Sequence, residues 1–191
     1  MREDYAWNHI ILEAHDASKD LGVPAIGMED GYVLFSTAFL TATRFGCLKA
    51  MDAGAGVGFS TVWIAKAILE SGVDGNVYAV EKNIRRFRRL KELVAKYRLE
   101  HLITPVNGDA LKYVGKVTGL NLVFMDIEKE QYLEFFNLIK SRILTGGVII
   151  AHNVKHPYGA IADFLNEASD GIWRTAIVPT GAGVSISVKM G

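Results

Sequence analysis

Five short apolar runs in this chain are each followed by a residue able to bind a hydroxyl group or a cation. Asp52 follows Leu48–Met51, Glu81 follows Val77–Val80, and Asp109 stands just beyond Ile103–Val106. Asp126 follows Leu120–Met125, and the pair His152-Asn153 follows Val148–Ala151. A carboxylate offers two acceptor oxygens on one rigid group, and carboxylate, imidazole and amide donors can together ligate a metal ion. Singly, such residues cap helices or open turns. Five at the same relative place point to a binding edge. The sharpest local pattern is Met51-Asp52-Ala53-Gly54-Ala55-Gly56-Val57-Gly58. Its glycines permit a tight turn and let backbone approach a ligand closely, just before a helix N-terminus. A dinucleotide fingerprint beginning at Gly54 would place its third small residue at Phe59, whereas the third glycine comes one residue early, at Gly58. That mismatch argues against NAD or FAD.

The elements that must carry these residues follow from periodicity. Two amphipathic stretches, Tyr5 to Leu21 and Asp30 to Arg44, open the chain, and Gly22-Val23-Pro24 ends the first. The five apolar runs then alternate with helical patterns at Ser60–Ser71, Ile84–Tyr97 and Lys129–Ser141, with a shorter one near Leu111–Val114. Alternation of this kind predicts βαβ units and a parallel sheet covered on both faces. Arg174–Pro179 and Val184–Lys189 are joined only by Thr180-Gly181-Ala182-Gly183, a connection short enough only for an antiparallel hairpin. The expected fold class is α/β, a Rossmann-like doubly wound, mostly parallel seven-stranded sheet with an antiparallel C-terminal hairpin. Residues 1–45 supply N-terminal helices and residues 46–191 the core of one domain. In an open sheet of this class ligands bind outside the carboxyl ends of the strands, where the five polar positions fall.

Composition narrows the setting. The chain has 191 residues, half of them hydrophobic, with 21 basic and 21 acidic residues balancing to zero formal charge. That balance gives no global reason to expect nucleic acid or an anionic membrane as partner. Cys47 is the lone cysteine, so no internal disulfide and no thiolate metal cluster can form, which suits a reducing cytoplasm. Met1-Arg2-Glu3-Asp4 is too acidic to open a signal peptide. The stretch Tyr32 to Phe45 falls short of the ~18 uninterrupted apolar residues of a membrane span.

The glycine spacing resembles motif I of class I S-adenosylmethionine-dependent methyltransferases. The resemblance implies that Asp52, Gly54, Ala55, Gly56, Gly58 and Ser60 hold the methionine part of the cofactor. Glu81, with Lys82 beside it, would accept both ribose hydroxyls. Asn107-Gly108-Asp109-Ala110-Leu111 falls where that family lays the adenine, so Asp109 and Ala110 are cofactor candidates, with a helix N-cap as the rival role for Asp109. Asp126 completes the cofactor set.

One branch fits better than the others. Asp126-Ile127-Glu128-Lys129-Glu130-Gln131-Tyr132 resembles the segment after strand four of catechol and caffeoyl-CoA O-methyltransferases. Gly146 to Val154 is similar to the strand ending in that family's Asp-Asn metal pair, Val178 to Ser187 to its final hairpin, and Met28 to Tyr32 to the stretch before motif I. The resemblance runs from about Met28 to the C-terminus. It implies O-methyl transfer to a small hydroxylated acceptor, catechol-like or CoA-linked, with Asp126 and Lys129 catalytic, Lys129 as general base, and Asp126, His152 and Asn153 holding a divalent metal. His152 stands where the family has an aspartate. That exchange weakens affinity for Mg²⁺ and moves preference toward Mn²⁺ or a transition metal such as Fe²⁺, Co²⁺, Ni²⁺ or Zn²⁺. In the alternative no metal binds, and His152 hydrogen-bonds substrate or Asp126 and becomes the next candidate base.

The basic run Lys82 to Arg98 contains Arg85, Arg86, Arg88, Arg89, Lys91 and Lys96 against Glu92 alone. On a helix these cannot share one face, so the run reads as solvated surface. The rival is an RNA methyltransferase docking through this helix. A non-catalytic S-adenosylmethionine-binding protein with a decayed metal site is the other alternative. Tyr5, Trp7 and the first helix offer a lid over the acceptor, a homodimer surface or plain packing.

Overall fold

The computed structural model describes residues 6–191. Expectations resting on residues 1–5, including Tyr5 in the lid or dimer surface, lie outside the described residues. Two helices lead in, α1 (Trp7–Asp20) and α2 (Met28–Phe45), and α2 ends where Gly46 takes a left-handed φ of 68°. The alternating part follows: β1 (Cys47–Ala53), α3 (Phe59–Ser71), β2 (Asp74–Glu81), α4 (Ile84–Lys96), β3 (Ile103–Asn107), α5 (Ala110–Tyr113), β4 (Leu120–Met125), α6 (Tyr132–Ile139), β5 (Ile143–His152), α7 (Ala160–Glu167), β6 (Trp173–Val178) and β7 (Val184–Lys189).

The seven strands form one sheet in the order β3-β2-β1-β4-β5-β7-β6. The first five are mutually parallel, and β7 runs antiparallel to both β5 and β6. Order reverses between β1 and β4, which makes that boundary the switch point where a doubly wound sheet opens a crevice. The doubly wound sheet with a terminal hairpin is as its periodicity predicts. Helix α7 is not anticipated by the pattern read above. Only Ile161, Phe164 and Leu165 are buried along its eight residues, a single-stripe signal too short to stand out beside Pro157 and Gly159.

Side chains along each central strand alternate between two cores, one per sheet face. Leu48, Ala50, Leu122, Phe124 and Ile150 pack with α1, α2 and α3 through Ile10, Leu34, Ala38, Trp63 and Ile68. Met51, Val123, Met125, Ile149 and Ala151 pack with α6 and α7 through Tyr132, Phe135, Phe136 and Phe164. Helix α2 lies close against α3 because Gly31 carries no side chain. A Cβ there would come within 2.4 Å of the Trp63 indole. That close approach carries the neighbouring Asp30 to the carboxyl edge of the sheet. No helix among the described residues is long and apolar enough to cross a membrane.

Candidate active site

At the switch point three strand ends are stitched together by backbone. The amides of Gly54 and Ala55 donate to the Val80 carbonyl at 3.0 and 3.1 Å, and the Asp126 amide donates to the Ala53 carbonyl at 2.9 Å. The glycine loop turns here through φ of +89° at Gly54 and +58° at Gly56. At Gly54 glycine is required twice over, since a Cβ would fall 2.2 Å from the Asp126 carbonyl oxygen.

Glu81, the last residue of β2, is buried and faces the loop. Its Oε2 accepts from the Gly56 amide at 2.8 Å and its Oε1 from the Asn83 amide at 2.7 Å. Asn83 then caps α4, its side chain accepting from the amides of Arg85 and Arg86. One carboxylate therefore sets both the glycine loop and the start of the next helix. Asp109 caps α5 by accepting from the Leu111 amide at 2.8 Å, so it fills the N-cap role and also borders the crevice.

Asp52 needs correction as a direct cofactor ligand. It lies inside β1 rather than after it, is fully buried, and does not border the crevice. Its Oδ2 accepts from the hydroxyls of Ser60 at 2.7 Å and Thr61 at 2.5 Å, pinning the first turn of α3 beneath the loop. Burial pushes its carboxyl up to about 7 against the pull of those hydroxyls, and the charges of Asp126 and Glu81 push the same way. Gly58 also sits off the crevice, supplying the left-handed residue before α3. A carboxyl raised on folding holds its proton more firmly in the native state. Its contribution is complete below the unfolded value near 4 and is lost as pH climbs through about 7. Thermal melts should therefore show a midpoint lower at about pH 8 than at about pH 5.5. Asp52→Asn, which keeps an acceptor for Ser60 and Thr61, should flatten that difference, and an unchanged slope would refute the assignment.

Gly54, Ala55, Gly56, Ser60, Glu81, Lys82, Asp109, Ala110 and Asp126 come together around a cavity of about 500 Å³. Its size and mixed lining suit a nucleoside-bearing ligand. A glycine turn at a helix N-terminus, a buried carboxylate at the end of β2 and small Ala110 fit the parts of S-adenosylmethionine. Lys82 and Glu128 form an ion pair on the cavity's rim. A second, more open cleft of about 740 Å³ adjoins it, lined by Glu130, Lys155, His156 and Tyr158 and sharing Lys129, Asn153, Gly181 and Ala182. The β6–β7 turn is tied down over this junction. The Gly181 amide donates to Glu29, and the amides of Val154 and Lys155 donate to the carbonyls of Gly183 and Ala182.

Lys129 stands where the two spaces meet. Its Nζ donates to Asp126 Oδ1 at 2.9 Å and to the Tyr132 hydroxyl at 2.7 Å. That hydroxyl in turn donates to the His152 carbonyl at 2.9 Å, linking the start of α6 to the end of β5. Desolvation drives the Asp126 carboxyl upward, but His152 and Lys129 outweigh it, and the group ends below the usual carboxylate range. The His152 ring is buried with Nδ1 3.4 Å from Asp126 Oδ1 and Nε2 3.1 Å from Asp30 Oδ2. Asp30 is the functional candidate that the spacing of residues did not single out. It lies 122 positions from His152 and reads in sequence as a helix-start acid.

The expected metal set Asp126, His152 and Asn153 does not fit a divalent cation as arranged. The Lys129 ammonium already holds the Asp126 oxygen that faces His152, and Asn153 is exposed at the mouth with a left-handed φ of 60°. Among the described residues no group of three or more His, Cys, Asp and Glu is placed to hold a metal ion. The basic run falls on α4, where Arg85, Arg88, Arg89 and Lys91 are exposed, Arg89 pairs with Glu92, and Lys96 pairs with Glu13. Of the basic residues on α4, Arg86 alone lines the cavity.

Comparison with known proteins places this edge in context. A family model described as a methyltransferase domain matches residues 51–154. The O-methyltransferase ankF of Aspergillus thermomutatus is 28% identical over 119 residues, 60% of this chain and 48% of that protein. The flavonoid 3',5'-methyltransferase of Vitis vinifera is 26% identical over 121 residues, 60% of this chain and 50% of that protein. The chain spans about half the length of the curated relatives it matches. Among solved structures, the O-methyltransferase TomG of Streptomyces achromogenes, in complex with SAM, superposes with a TM-score of 0.80 at 19% identity, over 95% of this chain and 90% of that one. An O-methyltransferase of Bacillus cereus in complex with SAH gives 0.80 at 17% identity, with the same coverage. These superpositions establish the shared fold.

Proposed function

The chain belongs to the methyltransferase-domain family, and on that premise we propose that it transfers the methyl group of S-adenosylmethionine to a hydroxyl of a small acceptor. The observation that carries this reading is the pairing of the glycine loop with Glu81 around a nucleoside-sized cavity, directly beside a second cleft that opens at Lys129. Bound in the cavity, the sulfonium supplies an electrophilic methyl group for in-line displacement. The protein's main task is then alignment. Gly54 to Gly56 would hold the methionine part, Glu81 the ribose hydroxyls, and Asp109 with Ala110 the adenine side.

The acceptor enters from the cleft bordered by Lys155, His156 and Tyr158. Lys129 first releases its own proton to solvent through its part-exposed side and then, as the amine, takes the proton of the acceptor hydroxyl. Asp126 orients that amine, and His152 braces Asp126 from the other side. No step is assigned to a divalent metal, because Lys129 stands on the carboxylate oxygen that would ligate it.

Titration calorimetry with S-adenosylhomocysteine tests the cofactor half of this proposal. We expect a one-site heat with the demethylated product and none with a nicotinamide or flavin nucleotide, and the reverse would remove the reading. A methyl-transfer assay with vicinal diols such as catechol tests the acceptor half.

A further inference from the structure

We propose that Asp30 is a positioning residue at the Lys129 end of the cavity, holding the His152 ring in the orientation in which Nδ1 faces Asp126. This deepens the methyl-transfer reading and rests on it.

The geometry singles out Asp30 in three ways. Its carboxylate is buried, and Oδ2 lies 3.1 Å from His152 Nε2, so a ring proton on Nε2 has an acceptor there. The same oxygen accepts from the Gly27 amide at 2.9 Å, which closes the first turn of α2. The other oxygen, Oδ1, is buried without a hydrogen-bond partner.

Helix capping alone does not explain that choice. Closing the turn takes one acceptor, and a buried carboxylate with its other oxygen unpaired costs stability. Buried groups left short of partners call for a specific reason. The reason available here is the imidazole. With Nε2 held on Asp30, the opposite ring nitrogen is turned toward Asp126 Oδ1 at 3.4 Å, so the imidazole spans the two carboxylates. His152 Nδ1 is itself buried without an aligned partner. The pair thus hands its orientation on to the carboxylate that orients Lys129. Gly31, packed on the Trp63 indole without a side chain, sets how near α2 stands to α3 and so where Asp30 lies.

The test separates positioning from stability. In the native protein, long-range ¹⁵N NMR of labelled histidine should show a proton on His152 Nε2, and in Asp30→Ala that Nε2–H signal should shift or vanish. Asp30→Ala should lower kcat for catechol methylation roughly 10- to 100-fold, the range seen when a partner orienting a site histidine is lost. KM for S-adenosylmethionine and the calorimetric heat with S-adenosylhomocysteine should stay unchanged. Asp30→Asn, which keeps one oxygen for both Gly27 and His152, should recover most of that kcat. A folded Asp30→Ala variant with native kcat would overturn the proposal, and so would a native His152 Nε2 that carries no proton. Failure of the methyl-transfer reading shows separately, as absent heat with S-adenosylhomocysteine in the native protein.

Discussion

Replacing Lys129 with Ala should reduce methyl transfer to vicinal diols by at least about 10²- to 10⁴-fold, the span that a positioned acid–base group contributes. Affinity for S-adenosylhomocysteine should be preserved. The reason lies in where the ammonium sits. It borders both cavities, and its contacts run to Asp126 and Tyr132, none of them to the glycine loop or Glu81. Its removal leaves the glycine loop and Glu81 intact and takes away the base proposed for the acceptor. Lys129→Arg is the informative companion, since a guanidinium keeps the cation while giving up the amine. Turnover that survives both changes would take Lys129 out of the mechanism.

The second large effect belongs to Glu81. Truncation to Ala should weaken S-adenosylmethionine binding by about 100-fold or more, since it removes a charged acceptor together with the order it imposes. Two backbone donors, the amides of Gly56 and Asn83, lose their acceptor at once. The first shapes the loop and the second sets the start of α4. Glu81→Gln, which keeps one carbonyl acceptor, should fall between the native protein and the alanine variant. Calorimetry with S-adenosylhomocysteine measures both, and native affinity in Glu81→Ala would detach the loop from cofactor recognition.

Much of the fold was legible because its signals are local. Apolar runs alternating with helical patterns announced the parallel strands, and the four residues between Val178-Pro179 and Val184 left only a hairpin. Glu81, Asp126 and His152 were legible as residues bordering the crevice because each closes or directly follows a strand that must end at the sheet's carboxyl edge. Asp52 was placed too far out. β1 runs two residues past Met51, to Ala53, which keeps the Asp52 side chain within the sheet, and strand boundaries set by an apolar run cannot register that step. The metal expectation followed the resemblance at Asp126, His152 and Asn153, whereas the arrangement of Lys129 depends on a contact that spacing does not display. Asp30 stayed hidden for the same reason. Its partner is 122 positions away, and only the approach of α2 to α3, permitted by the missing Cβ of Gly31, brings the two together.

The contact between Gly54 and the Asp126 carbonyl has a consequence for how such a protein could change its preferences. Turn, carboxylate and the end of β2 form one welded block, so the separation between the glycine loop and Lys129 cannot be tuned piecemeal. A bulkier or differently shaped acceptor has to be met by parts outside that block: the start of α2, the segment after β5, and the β6–β7 turn clipped to Glu29. Transplanting those three segments from a relative with another acceptor should therefore carry selectivity with them while the chemistry stays where it is.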